Sequence, residues 1–392
     1  MSRGFRLRIL GISLFASIVA LISEQSPPPL MPFIIHDFVI SHTQAALSMT
    51  LFDLPALFSI PLGILSDRHG KKGLGTISIL LVGLGSLVVA TSHSLAVMLI
   101  GRLAGGIGSA WTAIVTLAIV SQWLPGAETG AAMSVYGLGL PIATVTAFNA
   151  LGRVGIAYGW RFAFYLVAVN SFIVAVLFLR FIRETPCVRS SAHKGSAIYV
   201  ASSRWFVNRA LWKLSIYWLF FNAAWYSFAA WAPTLLSEYT RIPLASTGTL
   251  SSVPMIACLP CMPLFGLVSN RLKSAGAVIL VLGPGLMTVC LIILPFVRSV
   301  TPDFVAAVIG VGFSVVPPIV FRMAGDILGP NLAGSSFGVL NSCGGVGSAI
   351  GPVLVGITLD LGAAPIWGFT VAIVIEMLCV ISALALCFSG VA

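Results

Sequence analysis

The sequence predicts an all-α membrane protein of twelve transmembrane helices, arranged as two pseudo-symmetric halves of six helices each. Three observations support this fold class. Of the 392 residues, 58% are hydrophobic and 8% are charged, whereas a typical soluble domain carries about 25% charged residues. The apolar segments are continuous and long enough for a helix to cross a bilayer, which excludes a β-barrel of short alternating strands. Similar motifs also recur in the first and second halves of the chain.

Twelve segments have the length and composition of a membrane span, and we number them one to twelve in chain order. The first six are predicted at residues 9–35, 44–65, 73–92, 95–121, 128–150 and 162–182. The second six are predicted at residues 211–236, 245–268, 275–296, 303–325, 333–358 and 364–388.

The distribution of positive charge predicts the orientation of these spans. If the amino terminus is cytoplasmic, sixteen of the 21 Lys and Arg residues lie inside, four lie outside, and Arg102 lies within a span. This bias follows the positive-inside rule and predicts a plasma-membrane protein with both termini in the cytoplasm. The net charge of +10 is therefore explained by contact with anionic lipid headgroups rather than by nucleic acid.

The sequence predicts an internal duplication and a domain division. The segment Gly63–Lys72 that ends span two is similar to Gly266–Lys273 at the end of span eight, and Gly106-x-Gly108 matches Gly310-x-Gly312. The polar segment between spans six and seven joins the two copies. We therefore expect an N-terminal half at 1–183, a cytoplasmic linker at 184–210 and a C-terminal half at 211–392.

Several of these motifs resemble those of one transporter family. GILSDRHGKK at residues 63–72 is similar to the signature loop of the major facilitator superfamily, and Arg102 in GRLAGGIGSA resembles its span-four motif. Trp160-Arg161 and Trp231-Ala-Pro233 are also similar to common members. The resemblance implies a secondary transporter, not an enzyme, that works by alternating access with its substrate held between the halves.

The resemblance also implies a conformational latch on the cytoplasmic side. Asp67 would lie against the positive amino-terminal end of span eleven, while neighbouring residues hold the loop at the headgroups. The residues assigned to this latch are Gly63, Asp67, Arg68, Gly70 and Lys71. In the second copy Asn270 replaces the aspartate, so we expect a weaker latch there.

Charged residues within spans predict a proton-coupling network. Glu24, Asp53 and Arg102 lie at depths of about 16 Å, 13 Å and 10 Å from the outer end of their spans. Such residues usually face the bundle interior or a wet cavity, and one arginine lowers the cost of nearby carboxylates. The alternative is a purely structural ion pair. Glu376 lies in the last span, where we expect a protonated carboxyl group or a helix-contact role.

The candidate substrate-cavity residues are polar or aromatic positions within the spans. Asn222 and Trp225 share a helical face in span seven and would form an amphipathic wall. The full set is Gln25, Tyr136, Asn222, Trp225 and Asn341. No catalytic or metal-ligating constellation is found in the sequence, and we expect no cofactor and no metal.

We therefore expect proton-coupled uptake of a small organic or inorganic anion, in which the anion is inferred from Arg102. The expected partners are the small-molecule substrate, the proton and membrane lipid, with no nucleic acid, and we expect a monomer. Export of lipophilic compounds is the alternative, favoured by the aromatic residues of span seven. The segment Gly137–Pro141 matches the span-five signature of drug–proton antiporters poorly. A non-transporting membrane sensor is a more distant alternative.

Overall fold

The fold is a bundle of long helices, and no strand occurs in the part of the chain that the structure describes. The computed structural model describes residues 3–59, 71–123, 135–182, 208–240, 244–269, 276–296, 301–328, 333–362 and 366–388. Among these residues, ten helical segments are long and apolar enough to cross a membrane. They correspond to spans one, three to six and eight to twelve, as predicted.

The helices of the N-terminal half follow the predicted spans closely. Span one consists of two helices and span two of a helix followed by a 3₁₀ turn, whereas span five contains a π-helical turn. Their bounds are Arg3–Gln25 and Pro27–Phe38 for span one, and His42–Asp53 and Leu54–Phe58 for span two. Spans three, four and six are Lys71–Ala90, Leu95–Trp123 and Trp160–Phe181, and span five comprises Gly139–Thr146, Ala147–Leu151 and Gly152–Tyr158.

The C-terminal half consists of six long helices. Spans seven to twelve are Arg209–Thr240, Leu244–Ser269, Gly276–Ile293, Thr301–Leu328, Ala333–Asp360 and Ile366–Phe388. Asn208 caps the first of these, because its side-chain oxygen accepts hydrogen bonds of 3.0 Å from the backbone N–H groups of Ala210 and Leu211. Residues 184–207 of the predicted linker, which spans 184–210, lie outside the described residues.

Spans two and seven complete the predicted twelve. Span two is described from His42 as far as Ser59. Span seven is a helix of 32 residues, which is about 48 Å long at 1.5 Å per residue and can therefore cross the bilayer. Its tryptophans and tyrosines, together with Asn222, lower its mean hydropathy, which explains why composition alone identifies it less clearly.

The glycine pairs of the predicted duplication occupy equivalent helix crossings. A Cβ atom on Gly106 would collide with the carbonyl oxygen of Phe52 in span two, and one on Gly310 would collide with that of Pro254 in span eight. Two residues further along, Gly108 and Gly312 pack in the same way against spans three and nine. Each half therefore uses one glycine-x-glycine motif to bring its fourth helix against its second and third.

The two halves meet where spans one and seven, spans two and eleven, and spans five and eight are in contact. Spans two and eleven are in contact over much of their described length, from the His42–Asp360 pair to the 3.0 Å hydrogen bond that Asn341 donates to Ser59. On the other side, Asn149 of span five donates a 2.9 Å hydrogen bond to Ser252 of span eight. At one end of the bundle, a crevice lined by Pro29, Phe148, Pro233 and Gly248 encloses about 10 Å³, the room of one water molecule.

Candidate coupling site

Arg102 is the centre of the site, and its guanidinium is bound by main-chain oxygens. The residue is 2% exposed. Its Nη1, Nε and Nη2 atoms donate to the carbonyls of Ser23, Ser48 and Glu24 at 2.6, 2.8 and 3.3 Å. The guanidinium also stacks over the ring of Phe52, 4.0 Å from its centroid. Arg102 therefore joins span four to spans one and two.

Prolines in span one explain why two of these carbonyls are available. In an uninterrupted helix, the backbone N–H groups of residues 27 and 28 would donate to the carbonyls of Ser23 and Glu24. Those residues are Pro27 and Pro28, which have no N–H group. The helix is interrupted at Ser26, and Arg102 provides the missing donors.

Glu24 forms a hydrogen bond between the two halves. Its Oε1 atom accepts a 2.6 Å hydrogen bond from the hydroxyl of Tyr226 in span seven, and a 3.2 Å bond from the side-chain amide of Gln25. Both Glu24 and Tyr226 are only partly buried. The span-one helices continue to Phe38, so Glu24 is well within the span and not at its outer end.

Asp53 is the second carboxylate of the site and lies in span two. The residue is buried, with 9% of its surface exposed, and its carboxyl group interacts with the hydroxyl of Ser348 in span eleven. It shares an electrostatic interaction with Glu24 and Arg102. Among the described residues Arg102 makes no direct ion pair with a carboxylate, so the three groups are coupled through space and not by contact between their charged atoms.

The structure gives contacts for each residue of the predicted substrate cavity. Tyr136 shares a 2.7 Å hydrogen bond with Thr116 within the N-terminal half. Asn222 is bonded to the carbonyl of Trp218, one turn earlier in its own helix. Asn341 is exposed and contacts Ser59 of the other half, whereas Gln25 is buried beside Glu24.

Trp225 has a different environment from these polar residues. It is 3% exposed and packs against Phe313 of span ten with a ring separation of 4.5 Å. Phe221 also stacks on Phe313, with ring centroids 5.2 Å apart. In this conformation the aromatic side chains of span seven therefore contribute mainly to packing within the C-terminal half.

The sequence indicates Ser348 as a weaker cavity candidate and Tyr226 as one of the span-seven aromatic residues, but it does not predict their pairing with Asp53 and Glu24. Tyr226 directly follows Trp225 and belongs to the aromatic segment of span seven, but nothing in the sequence pairs it with Glu24. Of the residues that the sequence predicts to form a cytoplasmic latch, Gly63, Asp67, Arg68 and Gly70 lie outside the described residues, whereas Lys71 begins the helix of span three.

Glu376 lies apart from this site, within the C-terminal half. It is fully buried in span twelve, and within the described structure neither of its carboxyl oxygens has a hydrogen-bond partner. Its electrostatic neighbours are Tyr217 and Cys379.

Comparisons with known proteins identify the family. The family model described as Major Facilitator Superfamily matches residues 13–352. A hexuronate transporter from Bacillus subtilis is 24% identical, over 84% of this chain and 82% of that protein. A probable sulfoacetate transporter from Cupriavidus necator is 23% identical, over 90% of this chain and 87% of that protein.

A solved structure agrees with this assignment at the level of the fold. The crystal structure of a bacterial homologue of the human lysosomal transporter Spinster, in an inward-facing and occupied conformation, is similar with a TM-score of 0.78. It is 14% identical and the match covers 98% of this chain and 97% of that chain. The chain therefore belongs to the major facilitator superfamily and is a multi-pass membrane transporter of solutes, not an enzyme.

Proposed function

We propose that the protein takes up a small organic or inorganic anion together with protons. Our proposal places it in the cell membrane with both termini in the cytoplasm, in agreement with the positive-inside bias of its loops. The observation that carries the proposal is the set of three charged groups, Glu24, Asp53 and Arg102, which interact electrostatically beside the boundary of the two halves.

The charge of this set depends on protons. With both carboxyl groups ionised, the three residues carry a net charge of −1, and an anion is repelled. With both protonated, only the charge of Arg102 remains, and the same region attracts an anion. Because charges interact strongly in a poorly solvated interior, anion binding and proton binding then favour each other, which is the requirement for symport.

In this mechanism Arg102 acts through its field and not as a direct ligand. Three of its donors are already bound to main-chain carbonyls. We assign the amide groups of Gln25, Asn222 and Asn341 to the substrate as neutral donors, each through the N–H that its bond to Glu24, Trp218 or Ser59 leaves unused. Hexuronate and sulfoacetate, which give two relatives their names, are both anions with several oxygen acceptors, and this supports the proposed substrate class.

Glu24 also links the proton to the movement of the halves. Its hydrogen bond from Tyr226 crosses the boundary between them, and a hydrogen bond to an ionised carboxylate is stronger than one to a neutral acid. Protonation of Glu24 therefore weakens this contact, and the energy of the contact between the halves changes with the charge state of the site.

The alternative function, export of lipophilic compounds, drew its support from the aromatic residues of span seven. Trp218, Phe221 and Trp225 are at most 8% exposed and stack on one another or on Phe313. They therefore offer a lipophilic compound little surface in this conformation. For this reason we propose anion uptake rather than export.

A thermal-shift screen of the purified protein tests the proposal. The panel contains glucuronate, sulfoacetate, phosphate and sulfate, with glucose as the uncharged control and tetraphenylphosphonium as the lipophilic cation. A ligand at 100 times its Kd adds about 2.7 kcal/mol of stability. We expect an anion to stabilise the protein more at about pH 5.5 than at about pH 8.

A variant that mimics the protonated site sharpens this test. In the double variant Glu24→Gln, Asp53→Asn, the carboxyl groups are neutral at every pH, so we expect anion binding to lose its dependence on pH. Stabilisation by tetraphenylphosphonium alone would instead support the exporter. Anion binding that is equally strong at both pH values in the wild-type protein would contradict the proposed coupling.

A further inference from the structure

The carboxylate of Asp360 binds the first turn of a helix in the opposite half. Asp360 is the last residue of the span-eleven helix. It accepts hydrogen bonds of 2.7 and 2.8 Å from the backbone N–H groups of His42 and Thr43, and lies 3.0 Å from Nδ1 of His42. His42 begins the helix of span two. One side chain therefore joins the two halves through three contacts.

The electrostatics of helix ends favour this arrangement. A carboxylate is unfavourable at the carboxy-terminal end of its own helix and favourable at the amino-terminal end of another. The first N–H groups of a helix also need acceptors from outside the helix. In span two, Ser41 and Gln44 form a capping box, in which the side chain of each accepts a hydrogen bond from the backbone N–H group of the other. Asp360 accepts the hydrogen bonds of the N–H groups between them, those of His42 and Thr43.

The surrounding residues of the C-terminal half fix this contact in place. The imidazole of His42 packs on the indole of Trp231, with ring centroids 5.4 Å apart. Trp231 is fully buried and donates a 2.9 Å hydrogen bond to the carbonyl of Pro352. Gly356 lies so close to the backbone of His42 that a Cβ would be 3.0 Å from its carbonyl oxygen.

The contact lies at the outer ends of the spans, where the halves are closed. Span two begins on the outer side and span eleven ends there, in the orientation that the charge distribution indicates. A crevice between spans one, five, seven and eight has room for one water molecule. A second contact closes spans five and eight, where Thr249 and Ser252 bind the side chain of Asn149 at 2.9 Å each.

We infer that Asp360 and the first turn of span two, residues His42 and Thr43, form an outer latch. It holds the outer side closed in the conformation described here and must separate each time the site opens outward. The arrangement is the inverse of the cytoplasmic latch expected from the sequence, because here span eleven supplies the carboxylate and span two the helix end. The inference depends on the transporter fold and not on the proposed substrate or proton.

Three substitutions weaken the contact between Asp360 and span two while preserving the span-two helix. Asp360→Asn removes the charge. His42→Ala removes only the imidazole. His42→Pro removes the imidazole and one N–H donor, yet proline is favoured at the first position of a helix, and Ser41 already has the extended conformation, with φ −76° and ψ 163°, that a residue before proline prefers. Asp303→Asn is the matched control, because Asp303 lies in the outer first turn of its own span.

The measurement is the distance between spin labels on the outer ends of the two halves, at His93→Cys and Phe304→Cys, without substrate. Both positions are exposed, and the native cysteines are replaced by serine in a background that still transports. We expect Asp360→Asn to raise the ratio of outer-open to outer-closed molecules by about tenfold, and His42→Ala by less than His42→Pro. Adding Asn149→Ala should increase the open fraction further.

Two results would overturn the outer latch. One is a distance distribution in Asp360→Asn that equals that of the wild type, while Asn149→Ala alone opens the outer side. The other is an equal shift in Asp303→Asn, which would trace the effect to net charge. If Asp360→Asn does not fold, the comparison of His42→Pro with His42→Ala decides the question, because equal distributions in these two variants contradict the latch.

Discussion

Arg102 donates a 2.6 Å hydrogen bond to the main-chain carbonyl of Ser23. The usual donor to that carbonyl would be the N–H group of residue 27, which is Pro27 and has none. A buried arginine and a row of prolines, two features that the sequence shows in different spans, are thus parts of one arrangement. The prolines expose carbonyls at the depth of the site, and the guanidinium binds them.

A double-mutant cycle tests this relationship. Arg102→Met leaves buried carbonyls without donors, and we expect it to destabilise the protein by about 2–4 kcal/mol. Pro27→Ala restores an N–H group that can donate to Ser23, so the loss should be smaller in the double variant, with a coupling of about 0.5–3 kcal/mol. The measurement is unfolding in detergent, with Pro254→Ala in span eight as the control, for which no coupling to Arg102→Met is expected.

The equivalent glycines of the two halves should respond alike to substitution. Gly106→Ala and Gly310→Ala each place a Cβ on a backbone carbonyl of the neighbouring helix, and we expect each to lower the stability by about 1–3 kcal/mol. Gly285 has no atom within 4 Å of an added Cβ, so Gly285→Ala should be neutral or stabilising by up to about 1 kcal/mol. Thermal unfolding of the three variants measures this, and equal Tm values would contradict the close helix crossings.

Tyr226→Phe should impair transport more than it impairs folding. The substitution removes the hydroxyl that donates to Glu24 across the halves and leaves the ring. We expect at least about a tenfold loss in the initial rate of transport, equal to about 1.4 kcal/mol, with little change in Tm. Tyr165→Phe is the matched control, because Tyr165 is 37% exposed on the surface of span six. Equal rates in the two variants would exclude a role for the contact in coupling.

Glu376→Met should preserve transport. Burial of a carboxyl group without a hydrogen-bond partner costs free energy, and both oxygens of Glu376 lack one among the described residues. Methionine fills a similar volume without that cost, so we expect an unchanged or higher Tm, by up to about 1 kcal/mol in stability. Transport assays of the same preparation would reveal an unexpected role, because a folded but inactive Glu376→Met protein would assign Glu376 to the mechanism.

The sequence predicts this fold well because the signals of membrane helices are local. Continuous apolar segments define the spans, the charge bias orients them, and the motifs around Gly106 and Gly310 indicate the duplication. The positions of Glu24, Asp53 and Arg102 within the spans were also predicted from the sequence, because a charged residue within an apolar segment is conspicuous.

The pairings of these residues could not be predicted in the same way. Glu24 and Tyr226 are 202 positions apart, and Asp360 meets His42 across 318 positions, so both contacts depend on how the halves dock. The partners of Arg102 are main-chain oxygens, which every residue possesses. Only Pro27 and Pro28 hint that two of those oxygens lack their usual donors.

The central claim, proton-driven anion uptake, is tested most directly in proteoliposomes with an imposed pH gradient. With an acidic exterior, we expect the wild-type protein to accumulate labelled glucuronate, or the anion that the screen identifies, above its external concentration, and to carry protons inward in parallel. Glu24→Gln should lose accumulation yet still exchange internal for external anion. Accumulation that persists without a pH gradient, or that survives in Glu24→Gln and in Asp53→Asn, would contradict the account.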